Sequence, residues 1–145
     1  MCNVKDNNKE FAYGLLRLAM GVNMFVHGLV RFPKLDEFSN WMVGYFQDTF
    51  LPEILVTILA YSIPFVEFIV GLLLILGLFT RQALLVGALL MVVLIFGSCL
   101  KENWEWAAFQ MIYAIFFFML SYFIELNKIS LDKLRGKCNC EENKQ

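Results

Sequence analysis

The chain has 145 residues, of which 59% are hydrophobic, 16% aromatic and only 17% charged. Soluble domains carry about 25% charged residues and about 45–50% apolar ones, so this composition suits a bilayer better than water. A formal net charge of −1 argues against a nucleic-acid partner, which needs a basic patch or stripe, and the length leaves room for one domain.

In chain order, the first ten residues mix Lys5 and Lys9 with Asp6 and Glu10. That mixture, and the lack of a small-residue cleavage site after the following apolar run, differ from a secretory signal, so the run is expected to stay in the mature chain. Crossing roughly 30 Å of hydrocarbon takes about 20 apolar residues. The segments 11–30, 55–79, 83–100 and 106–126 qualify as spans. Gly21, Gly28, Pro64, Gly71, Gly77, Gly87 and Gly97 fall within them; in membranes such residues are tolerated, and small ones let helices approach closely. Between the first two spans, Leu35, Phe38, Trp41, Met42, Tyr45, Phe46 and Thr49 recur at helical spacing, opposite Asp36, Glu37, Asn40 and Gln47. This pattern predicts an amphipathic helix at the membrane interface, either a lid on the bundle or a stabilising pack, with Trp41 and Phe46 as a candidate docking surface. The expected fold class is all-α, an integral membrane four-helix bundle with one interfacial helix. Residues 1–10 and 127–145 would flank a transmembrane domain at 11–126, the last segment being a polar tail.

Lysine and arginine placement sets orientation. With both termini cytoplasmic, that side holds Lys5, Lys9, Arg81, Lys128, Lys133, Arg135, Lys137 and Lys144, against Arg31, Lys34 and Lys101 opposite. Trp41, Tyr45, Trp104 and Trp106 then form an aromatic belt on the outer side.

Charged residues inside a span cost roughly 2.5–3.5 kcal/mol on insertion scales and normally face the bundle interior. The first span holds Arg17, Asn23 and His27, with Arg31 at its end. At 100° per residue they share one arc of about 120°. The second span contributes Glu67, on a face with Ala60, Pro64 and Gly71, and the fourth contributes Gln110. At 1.5 Å per residue, His27, Glu67 and Gln110 each lie roughly 20–24 Å from the inner ends of their spans. A histidine, a carboxylate and an amide at one level can bind a polar head group or relay a proton; equally, Glu67 can neutralise an Arg or His to fix helix register. Arg17, nearer the inner side, reads as snorkelling toward the cytoplasmic interface. Arg17, His27, Glu67 and Gln110 form the candidate polar site, with no catalytic role assigned.

Cys2, Cys99, Cys138 and Cys140 make neither a disulfide framework nor a paired zinc spacing, and the chain has no Cys-x-x-Cys pair of the membrane thiol oxidoreductase kind. Cys138 and Cys140 could bind a soft metal or form a labile disulfide, with two free thiols the default in a reducing cytoplasm. No metal, phosphate-loop or Ser/His/Asp motif is present.

The stretches LLRLAMGVNMFVHGLVRFPKL, PFVEFIVGLLLILGLFTRQALL and NKISLDKL resemble DoxX-family proteins over about Phe11 to Leu134, most specifically from Glu67 through Arg81. The resemblance implies a four-helix bundle in the inner membrane, and matches Arg17, His27 and Glu67 to family positions. It also implies the family's range of functions: the small membrane subunit of thiosulfate:quinone oxidoreductase, or an association with thiol and oxidative-stress systems. A quinone is the ligand this suggests, with a redox or membrane subunit as partner and the bilayer as solvent. Two alternatives stand beside it, a non-enzymatic assembly module and a small-solute or proton pathway.

Overall fold

The computed structural model describes residues 4–133, and every regular element in that range is helical. Helix α1 runs over Val4–Arg31 and ends at a 3-10 turn, Phe32–Lys34, where Pro33 cannot continue the backbone hydrogen-bond ladder. Helices α2 (Leu35–Phe46), α3 (Glu53–Leu76), α4 (Thr80–Leu100) and α5 (Trp104–Tyr122) follow, and a second 3-10 turn spans Ile124–Leu126. Among the described residues four helical segments are long and apolar enough to cross a membrane, the first running from α1 into α2 (Asn7–Phe46); α2 is a 12-residue helix that packs on α3.

The outer surface of the bundle is apolar. Leu15, Val22 and Leu29 on α1, Phe65 and Ile69 on α3, Leu85, Leu89 and Val92 on α4, and Ile115 and Phe118 on α5 are all exposed. A soluble monomer rarely shows such a contiguous patch; here it is the face the lipid covers. Buried Met20, Met24, Ala60, Ile63, Leu74, Leu84, Met91, Phe117 and Leu120 form the core within that shell.

Helix α1 packs mainly on α3, and α4 on α5. Glycine makes the first contact possible. A Cβ on Gly71 would lie 2.6 Å from the Phe25 Cα, and one on Gly21 2.8 Å from the Ile75 backbone nitrogen. A Cβ on Gly28 would lie 2.6 Å from the Phe68 nitrogen. The two backbones therefore touch, the small-residue packing that drives helix association in lipid. Helix α3 ends on Gly77 in the left-handed region (φ 64°), closed by Leu78 N–H to Leu73 C=O at 3.0 Å and Gly77 N–H to Leu74 C=O at 3.3 Å. This is a Schellman end, which a residue with a Cβ would strain.

The segment after α5 does not leave the bundle at once. The Asp132 carboxylate accepts the Phe79 and Thr80 backbone N–H groups, each at 2.8 Å, and so caps α4 from a distant part of the chain. The Asp132 N–H in turn donates to the Gly77 carbonyl at 3.0 Å. The start of the expected polar tail is thus structural as far as Lys133; Cys138 and Cys140 lie outside the described residues.

Candidate functional site

The polar groups of α1 divide between the two ends of the bundle. Arg17 and Arg31 are 14 residues apart, about 21 Å along the helix, and they serve different structures.

Arg17 is buried at the end that carries the α3–α4 turn. Its guanidinium donates to Asn127 Oδ1 at 2.6 Å and to the Ile129 carbonyl at 2.9 Å, and Asn127 Nδ2 donates to Thr80 Oγ1 at 3.0 Å. Gly77 leaves the space it fills, since a Cβ there would collide with the guanidinium. Close by, the buried Tyr13 hydroxyl donates to the Leu120 carbonyl at 3.0 Å, joining α1 to α5. Arg17 is therefore a clamp on the α3–α4 turn and the segment beyond α5. It does not extend freely to the interface, and it does not line the cavity that holds the other candidates.

His27, Glu67 and Gln110 come together at the other end. They line a cavity of about 860 Å³ with Asn23, Arg31 and Ser98 as its further polar members. Its remaining walls are apolar and aromatic, including Met24, Ile63, Met91, Phe109 and Tyr113. Glu67 is buried and makes an ion pair with half-buried Arg31, so the costly carboxylate is compensated within the membrane. The Ser98 hydroxyl donates to Gln110 Oε1 at 2.9 Å, which leaves the amide nitrogen as the side chain's remaining donor. His27 is exposed while lining the same space.

Helix α2 roofs this cavity. Phe38, Trp41, Met42, Tyr45 and Phe46 all line it. Trp41 stacks on Tyr45, with ring centroids 5.2 Å apart, and meets the Trp106 ring at 6.0 Å. The Lys101 ammonium sits 4.9 Å above the Tyr45 ring. Phe46 is buried against Gly97 on α4. Of the two residues read as a docking surface, Phe46 thus turns inward and Trp41 stays about half exposed.

The sequence puts Arg31 on the polar arc of α1 but does not pair it with Glu67, and no pattern in the chain marks Ser98. The partner of a buried carboxylate depends on the rotation of one helix about its neighbour. Spacing within either helix does not encode that rotation.

The DoxX family model matches residues 12–98, which runs from within α1 to near the end of α4 and includes Arg17, His27, Arg31, Glu67 and Ser98. Gln110 and the Asn127–Asp132 network lie beyond the matched region. No curated protein and no solved structure matches the chain. With well over half of its length covered by the match, the chain belongs to the DoxX family of membrane proteins.

Proposed function

We propose that this protein is a redox-associated subunit of the inner cell membrane that holds a quinone-like ring in the cavity beneath α2. The observation that carries this reading is the cavity itself. At about 860 Å³ it falls in the range of about 300–1,000 Å³ typical of small-molecule sites, with mainly apolar walls and a few polar groups to fix orientation. Gln110 Nε2–H and the His27 ring are suited to hydrogen-bond ring carbonyls, and Trp41 and Trp106 offer aromatic faces for stacking. Glu67 is the carboxylate in the wall and the candidate to exchange the proton that accompanies reduction of such a ring. Electrons would come from a partner subunit. The Lys and Arg distribution supports cytoplasmic termini, an orientation in which the cavity would face the outer half of the bilayer. In this reading residues 11–126 are the transmembrane domain.

The test is a titration of purified protein with a short-chain quinone, followed by tryptophan fluorescence. Trp41 and Trp106 lie in the cavity wall, so binding should give saturable quenching that Gln110→Ala and His27→Ala weaken. Quenching that rises linearly without saturation, or that is identical in both variants, would sink the proposal.

A further inference from the structure

The Tyr13 hydroxyl bond to the Leu120 carbonyl joins α1 to α5 and sets the register of the two antiparallel helices. Ten residues from that bond on each helix, about 15 Å along it, stand Asn23 and Gln110. Fourteen residues from it, about 21 Å, stand His27 and Trp106. All four line the cavity, so at this level the two helices are walls with space between them. His27 and Trp106 are exposed, as is Phe109 in the same wall, so the cavity opens between α1 and α5. Beside the opening Val26 and Val30 on α1 and Ile112 on α5 are exposed and apolar, so it faces lipid. Exposed wall residues also occur on α3 and α4: Leu55, Val93 and Phe96. Helix α2 fills that side. Phe46 is buried against Gly97, where an added Cβ would lie 3.2 Å from the ring, and Leu51 packs on the core.

We propose that this opening is a lateral portal through which a ligand with a hydrocarbon tail enters from the bilayer. The tail stays in the portal, between α1 and α5, while the head occupies the cavity. The portal rests on reading the cavity as the ligand site, and it fixes the ligand class as a ring that carries a prenyl-type chain. A chain already dissolved in lipid gives up nothing by lying against Phe109 and its apolar neighbours, because lipid is as apolar as they are. The chain thus remains in an apolar medium throughout. Asn23 and His27 on one side of the passage, and Gln110 on the other, take the polar head.

Met91, buried in the cavity wall on α4, serves as the reporter position. The full chain, with Cys2, Cys99, Cys138 and Cys140 changed to Ser and Met91→Cys introduced, is placed in phosphatidylcholine nanodiscs. It is treated in parallel with N-dodecylmaleimide and N-methylmaleimide, and modification is followed by mass spectrometry. The two reagents share one reaction and differ in the tail, so their rate ratio cancels the reactivity of the thiol. The parent should react with both. Asn23→Trp, which fills the passage, should lower the dodecyl-to-methyl ratio by about tenfold or more, the factor that a steric cost of the overpacking kind gives. Phe109→Ala, which widens it, should raise the ratio, and Val93→Trp, on the α3–α4 side, should leave it unchanged. A misfolded Asn23→Trp would expose the thiol and speed both reagents, the opposite of the expected loss. The portal is wrong if Asn23→Trp leaves the ratio unchanged or speeds both reagents while Phe109→Ala does not raise it. It is equally wrong if Val93→Trp lowers the ratio as much. It is also wrong if the parent takes the methyl reagent and refuses the dodecyl one, as a passage closed or kept filled by phospholipid chains would. Labelling needs no quinone, so a failed quinone titration with tail-dependent labelling would overturn only the ring reading.

Discussion

Replacing Gly71 with Ala tests the claim that backbone contact between α1 and α3 holds the bundle together. The added Cβ would lie 2.6 Å from the Phe25 Cα, against an optimum of about 3.5–4.0 Å for carbon pairs. The obstructing atoms are backbone, so a rotamer change cannot relieve the clash and the helices must separate by roughly 1 Å. Overpacking of this kind costs about 1–3 kcal/mol. The better helix propensity of Ala offsets up to about 1 kcal/mol of it, leaving a net loss of up to roughly 2 kcal/mol. Gly14 provides the control: a Cβ there meets nothing within 4 Å, so Gly14→Ala should be neutral or stabilising by up to about 1 kcal/mol. Reversible unfolding of both variants in mixed dodecylmaltoside–SDS micelles, followed by far-UV circular dichroism, should separate their unfolding free energies by about 1–3 kcal/mol. Coincident midpoints would refute the close-packing argument.

The remaining perturbations address the Arg17 end. Tyr13→Phe removes the donor to the Leu120 carbonyl and should cost about 1 kcal/mol in the same unfolding assay. Arg17→Gln should free the segment after α5, seen as faster hydrogen exchange at the Asp132 amide, which donates to the Gly77 carbonyl. Asp132→Ala removes the cap on α4 and should cost roughly 1 kcal/mol at neutral pH. Partial burial pushes the Asp132 carboxyl up, but bonds from Thr80 and the Phe79 N–H, with the Arg17 charge, outweigh it and hold the group below its ordinary value of 3.8. A depressed carboxyl contributes stability that is present above its ordinary value and lost as pH falls through its lower folded-state value. The difference between wild type and Asp132→Ala should therefore shrink on acidification below about pH 4, measured as unfolding midpoints across a pH series.

The four spans and the interfacial helix are legible in the sequence because lipid imposes a length and a polarity on each, and both are local properties. The glycines signal close packing, yet which pairs touch is a tertiary fact: Gly71 meets Phe25, whereas Gly14 meets nothing within 4 Å. His27, Glu67 and Gln110 share a level because depth along a helix is countable. Their common cavity also depends on α2 folding over them, with Phe38, Met42, Tyr45 and Phe46 in its wall. The role of Arg17 was hidden for a different reason. Its partners Asn127 and Ile129 lie more than a hundred residues away, in a stretch whose polarity reads as a tail.

The two ends of the bundle are built from different materials, and this decides where movement can occur. At the Arg17 end, the closing contacts reach backbone groups: Tyr13 to the Leu120 carbonyl, Arg17 to the Ile129 carbonyl, and Asp132 to the Phe79 and Thr80 amides. Breaking any of them leaves a polar backbone group to be satisfied again, which is costly where water is scarce. At the Arg31 end, the roof is held by side chains on side chains: the Trp41 stacks, the Tyr61 hydroxyl donating to Asp36 at 2.7 Å, Asn103 donating to Tyr45, and Arg31 against Phe38 and Glu67. Such contacts can exchange partners without orphaning the backbone. Helix α2 is bounded on one side by the Pro33 turn and on the other by the residues 47–52 that precede α3. A ligand in the cavity should therefore shift α2 and Arg31 while the Arg17 end stays fixed, since contacts between side chains can change without leaving a backbone group unpaired.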